Sequence, residues 1–435
     1  MSLEIIKKLI QQKKYKKAFY KISKILEDNP NDFKTNFHMG RYYYDLNNLD
    51  KSLFFFQKSN KLNPNNPNII FNLALALQGM GQTEQAKKEY LKLISINSKN
   101  IRAYYGLFIL DIKNITDEFC ENLRSIINES TTSLFEKGLI NFIFSKLEKK
   151  GGRLKEEIHY LKLAHKNCYE SNLTYNKQSD HYYKDIISSH YNKFLFQNKF
   201  KEISGFNNQK HIFIMGLPRS GSSLVETIIS HNAPNITSVG EFHGFNRSIL
   251  EQIGENLHSE NFKMIIDKKK FQDALFERYD NFNNKIYLDK SLENFFNIEI
   301  ILEFFPKAKF IHTYRNYNDA IIGIYQAMLP ELSWSHNIED IAQYIKTYNK
   351  AIYYFKNKYP EKILDVDLSK LSNQKEKQAK KILEFCDIKF DDESLNFDKN
   401  DKLFSKTFSF LQVRNKIQRY EDNKYQPYYH LINKN

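Results

Sequence analysis

The stretch His211-Ile-Phe-Ile-Met-Gly-Leu-Pro-Arg-Ser-Gly-Ser-Ser-Leu-Val-Glu226 leaves few options for the chain around it. Ile212 to Met215, after His211, read as a short buried strand. Gly216 and Gly221 bracket a turn, and Ser222 opens an amphipathic run of Leu224, Val225, Ile228 and Ile229 that predicts a helix. Strand, glycine-bracketed loop and helix form a cradle for an anion. Backbone N–H groups of the loop and first helical turn converge there, and the helix dipole adds positive potential. A βα turn holding no ligand is the plain alternative.

The spacing from Gly216 to Gly221, followed by Ser222 and Ser223, matches a nucleotide-binding P-loop except that Ser222 stands where the lysine belongs. That lysine normally reaches the β- and γ-phosphates beside Mg²⁺, and the only cation inside this loop is Arg219. The pattern asks for an anion but argues against triphosphate chemistry. Pro218, Arg219, Ser220, Gly221, Ser222 and Ser223 together resemble the 5′-phosphosulfate loop of sulfotransferases, which bind 3′-phosphoadenylyl sulfate.

Upstream, Pro30, Pro64 and Ser98 are spaced 34 residues apart, the period of the tetratricopeptide repeat. Met39, Gly40 and Tyr43 fall on the first helix of one unit, and Ser52 and Phe56 on its second. Leu73, Ala74, Gly81, Ala86 and Tyr90 fall likewise in the next. The first unit keeps only its second helix clearly, in Ala18, Ile22 and Ile25, and a fourth begins near Ile101. Two further helices, Leu134–Leu147 and Leu154–His165, flank Gly151 and Gly152 as a degenerate fifth. Such a solenoid offers a groove to a peptide or protein partner. The expected division is a solenoid over 1–166, a helical linker over 167–205 that includes Phe194 and Leu195, and an α/β domain over 206–435. The complete nucleotide site is expected in the last of these, because no phosphate-binding motif precedes it. Repeats and loop together resemble the tetratricopeptide-repeat sulfotransferases of bacteria, over nearly the whole chain.

Downstream, Val239-Gly240-Glu241 places a carboxylate where the chain can return to the mouth of the cradle. By resemblance to tyrosylprotein sulfotransferases, Glu241 is the general base. Ile286 to Asp289 is a second strand, and open α/β sheets bind ligands beyond the carboxyl ends of their strands. Lys290, just past it, matches the family lysine beside the transferring sulfuryl group. A third strand ends at Arg315, which resembles the family's 3′-phosphate arginine; a planar guanidinium suits phosphate. The family serine eight residues later is absent, because position 323 is Gly, and Asn316 and Tyr317 replace the usual Asp-Pro, although Asp319 is kept. Either nucleotide affinity is weaker or another hydroxyl substitutes. Residues 247–285 read as charged and helical. The alternation of strand and helix over 211–386 argues for a mainly parallel sheet covered on its faces. Ser409 and Arg414 resemble the family's last nucleotide-binding stretch.

The fold expected is an α-helical tetratricopeptide solenoid joined to a P-loop-like α/β domain. The resemblance implies transfer of a sulfuryl group from 3′-phosphoadenylyl sulfate to an acceptor hydroxyl on a peptide, sugar or lipid, leaving adenosine 3′,5′-bisphosphate and using no metal. The alternatives are a P-loop kinase or nucleotide hydrolase, and a repeat scaffold with an inactive enzyme-like domain. The net charge of +14 follows from abundant lysine, and no lysine run interleaved with aromatics suggests a nucleic-acid groove. Three scattered cysteines fit a reducing compartment. The start lacks the apolar stretch of a signal peptide, and no segment approaches a membrane span, so a cytoplasmic location is expected.

Overall fold

A computed structural model describes residues 3–197, 210–233, 235–254, 263–279, 286–391, 393–395, 419–421 and 423–432. The N-terminal part is a run of paired helices: α1 (Leu3–Gln11) with α2 (Tyr15–Asp28), α3 (Phe33–Asp45) with α4 (Leu49–Leu62), α5 (Pro67–Gly79) with α6 (Thr83–Ile96), α7 (Ile101–Leu110) with α8 (Asp117–Ile127), and α9 (Leu134–Lys150) with α10 (Leu154–Glu170). The first unit thus has a complete first helix, whose buried face is Ile6 and Ile10.

The 34-residue register has a local cause. Asp32, Asn66 and Asn100 cap the first helices of three successive units, accepting hydrogen bonds from Thr35 N at 2.8 Å, Asn68 N at 3.1 Å and Ala103 N at 3.2 Å. Each cap satisfies otherwise orphaned amides and starts its helix at the same phase. Close packing follows from small residues set against large ones. A Cβ on Gly40 would lie 2.5 Å from Phe56 Cδ1, and Gly106 lies directly under the Tyr90 ring.

The C-terminal part is built on a five-stranded sheet in the order β3-β5-β2-β6-β7, every pairing parallel. Its strands are β2 (Lys210–Gly216), β3 (Ile236–Gly240), β5 (Ile286–Asp289), β6 (Lys309–Tyr314) and β7 (Ile363–Asp367). Helices α13 (Ser222–Asn232), α16 (Ile298–Phe304), α17 (Tyr317–Ala327), α18 (Ile338–Lys358), α19 (Leu368–Asn373) and α20 (Lys375–Phe385) alternate with them. Strand β2 is buried on both faces, as a central parallel strand must be. Ile212 and Ile214 face α13 and α20 together with Ile228, Ile311 and Ile382, while Phe213 and Met215 belong to a second apolar cluster on the opposite face.

That second cluster runs without a break from Ile6 and Ile10 of the first repeat through Phe245 and Phe271 to Phe355. The repeats and the sheet therefore share one core. Between them α11 (Leu173–His181), a π-helical turn over Tyr182–Ile186 and α12 (Ile187–His190) contribute Tyr182, Ile186 and Ile187 to it. Leu195, expected in a helix, begins strand β1 (Leu195–Gln197), which pairs in parallel with β4 (Ile265–Asp267). The expected all-helical reading of 247–285 is corrected by the same pairing, with α14 (Gly244–Ile253) and α15 (Lys268–Tyr279) on either side of β4. Strands this short carry too little periodicity to be seen, and each depends on a partner some 70 residues away in sequence. No helix among the described residues is long and apolar enough to cross a membrane.

Gly40→Ala tests the packing rule. Alanine gains about 1 kcal/mol of helix propensity, but forcing Cβ against the buried Phe56 ring costs about 1–3 kcal/mol. The midpoint of denaturant unfolding followed by circular dichroism should fall, and Phe56→Leu added to Gly40→Ala should recover part of the loss.

Candidate functional site

The cradle forms where β2 turns into α13. Gly216 has φ +145°, and any Cβ there would run into the Thr313 carbonyl of β6, so only glycine lets these two strand ends approach. Gly221 caps α13 in the left-handed region at φ +90°. Arg219, between them, is also left-handed at φ +65°, a conformation that costs a non-glycine residue energy and turns the loop sharply. Ser220 is 1% exposed, and its Oγ has no hydrogen-bond partner among the described residues. A buried hydroxyl left unpaired costs stability, so a polar ligand beside the loop would repay it. Pro218, Ser222 and Ser223 complete the turn, with Ser222 the first residue of α13.

Lys290 follows β5 at the same carboxyl edge and is 2% exposed. Its Nζ donates to Glu241 Oε1 at 2.9 Å and lies 3.4 Å from Glu226 Oε2. Its backbone N–H donates to the Gly240 carbonyl at 2.9 Å, tying the ends of β3 and β5 together. Burial pushes the ammonium down, but the two carboxylates outweigh it and hold the group above its ordinary value. Glu226, on α13, carried no signal in the sequence beyond its place in a helix; Ser238 Oγ donates to it at 2.6 Å. Glu241 itself is 46% exposed at the side chain and so reaches solvent on one side and Lys290 on the other.

Two neighbouring groups are engaged elsewhere. Asp289 accepts from Ser291 N at 2.7 Å and Asn294 Nδ2 at 3.3 Å, which shapes the turn after β5. His243 is paired with Glu293; burial pushes its imidazole down, and the Glu293 carboxylate more than reverses this.

Arg315 closes the third side. Its Nη1 donates to the Arg219 carbonyl at 3.2 Å, and its Nη2 lies 3.4 Å from Asp319 Oδ2 and 2.9 Å from Tyr420 Oη. Its Nε is buried with no partner among the described residues. Burial works against the charge, but Tyr425, Tyr420 and Asp319 hold the guanidinium above its ordinary value. For Arg219 burial prevails, with Tyr425 opposing it and the charge of Arg315 adding to it, and the value falls. Ser409 and Arg414 lie outside the described residues.

The repeats reach both sides of this edge. On the β3 side, the Tyr15 ring stacks on Phe242 with centroids 6.3 Å apart, and Arg247 Nη1 donates to the Gln11 carbonyl at 3.1 Å. Lys13 is pushed down by burial and by the charges of Arg247 and Arg41, and held up by Asp45 and Glu241. On the α17 side, Lys146 Nζ donates to the Gln326 carbonyl at 2.6 Å and Lys149 Nζ to Gln326 Oε1 at 2.7 Å. Burial, and then the charge of Lys149, push Lys146 to about 7. Sequence reasoning found none of these groups, because they meet the site only through the packing of repeats on sheet.

Residues 211–392 match the model of the sulfotransferase family, and residues 33–66 and 55–88 match tetratricopeptide-repeat models. The chain therefore carries, in order, matches to tetratricopeptide repeats and a match to the sulfotransferase family. An uncharacterized protein of Aquifex aeolicus (strain VF5) is 22% identical over 390 residues, covering 83% of this chain and 48% of its own; the chain thus spans about half the length of that curated relative. Among solved structures, the sulfotransferase domain of the Synechococcus PCC 7002 olefin synthase aligns with TM-score 0.36 and 18% identity, over 53% of this chain and 91% of that one. A sulfotransferase of Mycobacterium tuberculosis H37Rv aligns with TM-score 0.32 and 12% identity, over 69% and 97%.

Lys290→Met should destabilise the fold by about 3 kcal/mol, at the low end for breaking a buried pair because Glu241 is half exposed. A raised folded-state value means the lysine's contribution is complete below its unfolded value of about 10.4 and is lost only above that. The deficit in denaturant unfolding should therefore be the same at about pH 6.5 and about pH 9.

Proposed function

We propose that the chain transfers a sulfuryl group from 3′-phosphoadenylyl sulfate to an acceptor hydroxyl, with the repeats recruiting the acceptor or a partner that carries it. The observation that carries this reading is the meeting, at one sheet edge, of the cradle, the Lys290–Glu241 pair and Arg315. The orphaned Ser220 Oγ and Arg315 Nε fit a donor with two anionic groups, a 5′-phosphosulfate and a 3′-phosphate, that would satisfy one each.

In the proposed reaction the acceptor oxygen attacks sulfur as its proton passes to a Glu241 carboxylate oxygen. The bond between sulfur and the 5′-phosphate oxygen breaks, and its electron pair stays with the phosphate. The developing charge is met by Lys290 and by the amides of Ser220–Ser223 at the start of α13. Glu241 suits the base because its carboxylate is open to solvent where an acceptor would arrive, while Lys290 stays inside. The first repeat lies on that side, bringing Lys13 within electrostatic reach of Arg247 and Glu241. Pro218, Arg219 and Arg315 would hold the nucleotide, with Ser409 and Arg414 proposed to join them. The division at 166 and 205 is kept as a proposal about chain organisation only.

Glu241→Gln keeps volume and hydrogen bonding but removes the proton acceptor. Turnover of the sulfate donor with a hydroxyl acceptor should fall by roughly 10²–10⁴, while affinity for adenosine 3′,5′-bisphosphate changes by no more than a few-fold. Near-normal turnover would move the base elsewhere. Binding of ATP with Mg²⁺ in preference to the bisphosphate would instead favour a kinase.

Ser220→Ala gives a second, opposite pair of signs. Removing an unpartnered buried hydroxyl should leave the melting temperature of the free protein unchanged or raised. Stabilisation by added bisphosphate should shrink, because the anion loses a hydrogen bond worth about 1.5–3 kcal/mol. Calorimetric melts with and without bisphosphate read both.

A further inference from the structure

Gly323 on α17 stands beneath the Arg315 guanidinium. A Cβ built there would lie 3.4 Å from Arg315 Nη1 and 3.5 Å from the Tyr425 hydroxyl. The space into which a short side chain at 323 would project, beside the arginine, is thus already occupied by a phenol oxygen from the far end of the chain. Tyr425 is 7% exposed, and Arg315 lies over its ring at 4.9 Å. The remaining acidic and phenolic groups here are mutually satisfied. Tyr420 Oη accepts from Arg315 and donates to Asp319 Oδ2 at 2.6 Å, and Tyr429 Oη donates to Asp319 Oδ1 at 2.6 Å. Arg315 Nε remains buried without a partner among the described residues.

We propose that Tyr425 supplies the hydroxyl that grips the nucleotide's 3′-phosphate beside Arg315, in place of a side chain at position 323. The inference rests on the sulfuryl-donor reading above and names the residue that makes the site selective for a bisphosphate. A phosphate dianion takes the free Nε–H of Arg315 together with the Tyr425 O–H, and a phenol is a stronger donor to such an anion than to water. Glycine at 323 is the matching half of the exchange, since a larger side chain would fill the room the phenol needs.

The phenol is held in place by the repeats. Tyr425 leads directly into the 3₁₀ turn Gln426–Leu431, and Tyr428 Oη in that turn donates to Glu157 Oε2 of α10 at 2.6 Å. Lys149 lies over the Tyr428 ring at 5.0 Å, and Leu154 and Ile158 of α10 pack on the same small cluster. The C-terminal turn is therefore clamped between the last repeat and α17. A phosphate ligand positioned this way belongs to both parts of the protein.

The test uses the full chain and two probes, adenosine 3′,5′-bisphosphate and adenosine 5′-monophosphate, in isothermal calorimetry. Tyr425→Phe keeps the ring under Arg315 and removes only the hydroxyl. It should weaken bisphosphate about ten- to hundredfold, leave monophosphate affinity unchanged, and melt like the wild type. Gly323→Ser added to Tyr425→Phe places a hydroxyl back in the same space and should restore most of the bisphosphate affinity. A merely structural tyrosine would weaken both probes equally and would not be rescued. Wild type that prefers bisphosphate, with Tyr425→Phe retaining the whole preference, overturns the role of Tyr425 alone. Wild type that binds neither probe, or both alike, overturns the donor reading and this inference with it.

Discussion

A buried ammonium ion organises the carboxyl edge of the sheet. Lys290 is nearly sealed from water, and taking an isolated lysine charge out of water would cost many kcal/mol. It is tolerated because Glu226 from α13 and Glu241 from the end of β3 both reach it. That requirement fixes the first helix after the cradle, the outer strand and the end of β5 relative to one another. The close passage of Gly216 past Thr313 does the same for β2 and β6. The cradle, the candidate base and the candidate cation are consequently set by the interior of the sheet and not by loops free to drift.

The repeats are part of the same construction. Their apolar faces merge with the face of the sheet that carries Phe213 and Met215, so the two parts share that core, while the opposite face of the sheet keeps a core of its own. Lys146 shows the consequence in one residue. Burial and the charge of Lys149 push its amine to about 7, and it donates to the Gln326 carbonyl at the end of α17. The expectation that residues 206–435 hold the whole nucleotide site took no account of such contacts. Glu157 and Lys149 hold the turn that follows Tyr425, so the solenoid bears on the anion site proposed there.

What could be read from the sequence was local. The strand–loop–helix around Gly216 and Gly221, the repeat register and the carboxyl-edge positions of Lys290 and Arg315 all follow from short-range pattern, because glycine turns, helix caps and strand ends are specified by neighbouring residues. Asp32, Asn66 and Asn100 were present in the sequence at the repeat spacing and could have strengthened the register. The partners of the site residues were not legible. Nothing in the sequence sets Glu226 apart from other glutamates on helices, and β1 and β4 are too short to show alternation. Tyr425 lies about a hundred residues from Arg315, and only the docking of the C-terminal turn on α10 brings the two together. The sequence did carry the vacancy: glycine at 323, where the resemblance asks for serine, marked the place a distant hydroxyl fills.

The division of labour along this edge also bears on how an acceptor is chosen. The groups read as holding the donor sit under α17 and the C-terminal turn, while Glu241 opens towards the first repeat, where Tyr15 packs on Phe242 and Arg247 holds the Gln11 carbonyl. Opposite ends of one solenoid therefore meet opposite halves of one site. Lys13 lies within electrostatic reach of Glu241, and around it stand Arg41, Arg247 and Asp45. Lys13 is partly stripped of water, and a charge there is screened less than an exposed one. A negative group on the acceptor, placed near its hydroxyl, would compete with Asp45 for Lys13. It would also draw the acceptor oxygen towards Glu241, the carboxylate proposed to take its proton. Selection by charge at the rim and proton transfer at Glu241 would then depend on the same few side chains of the first repeat.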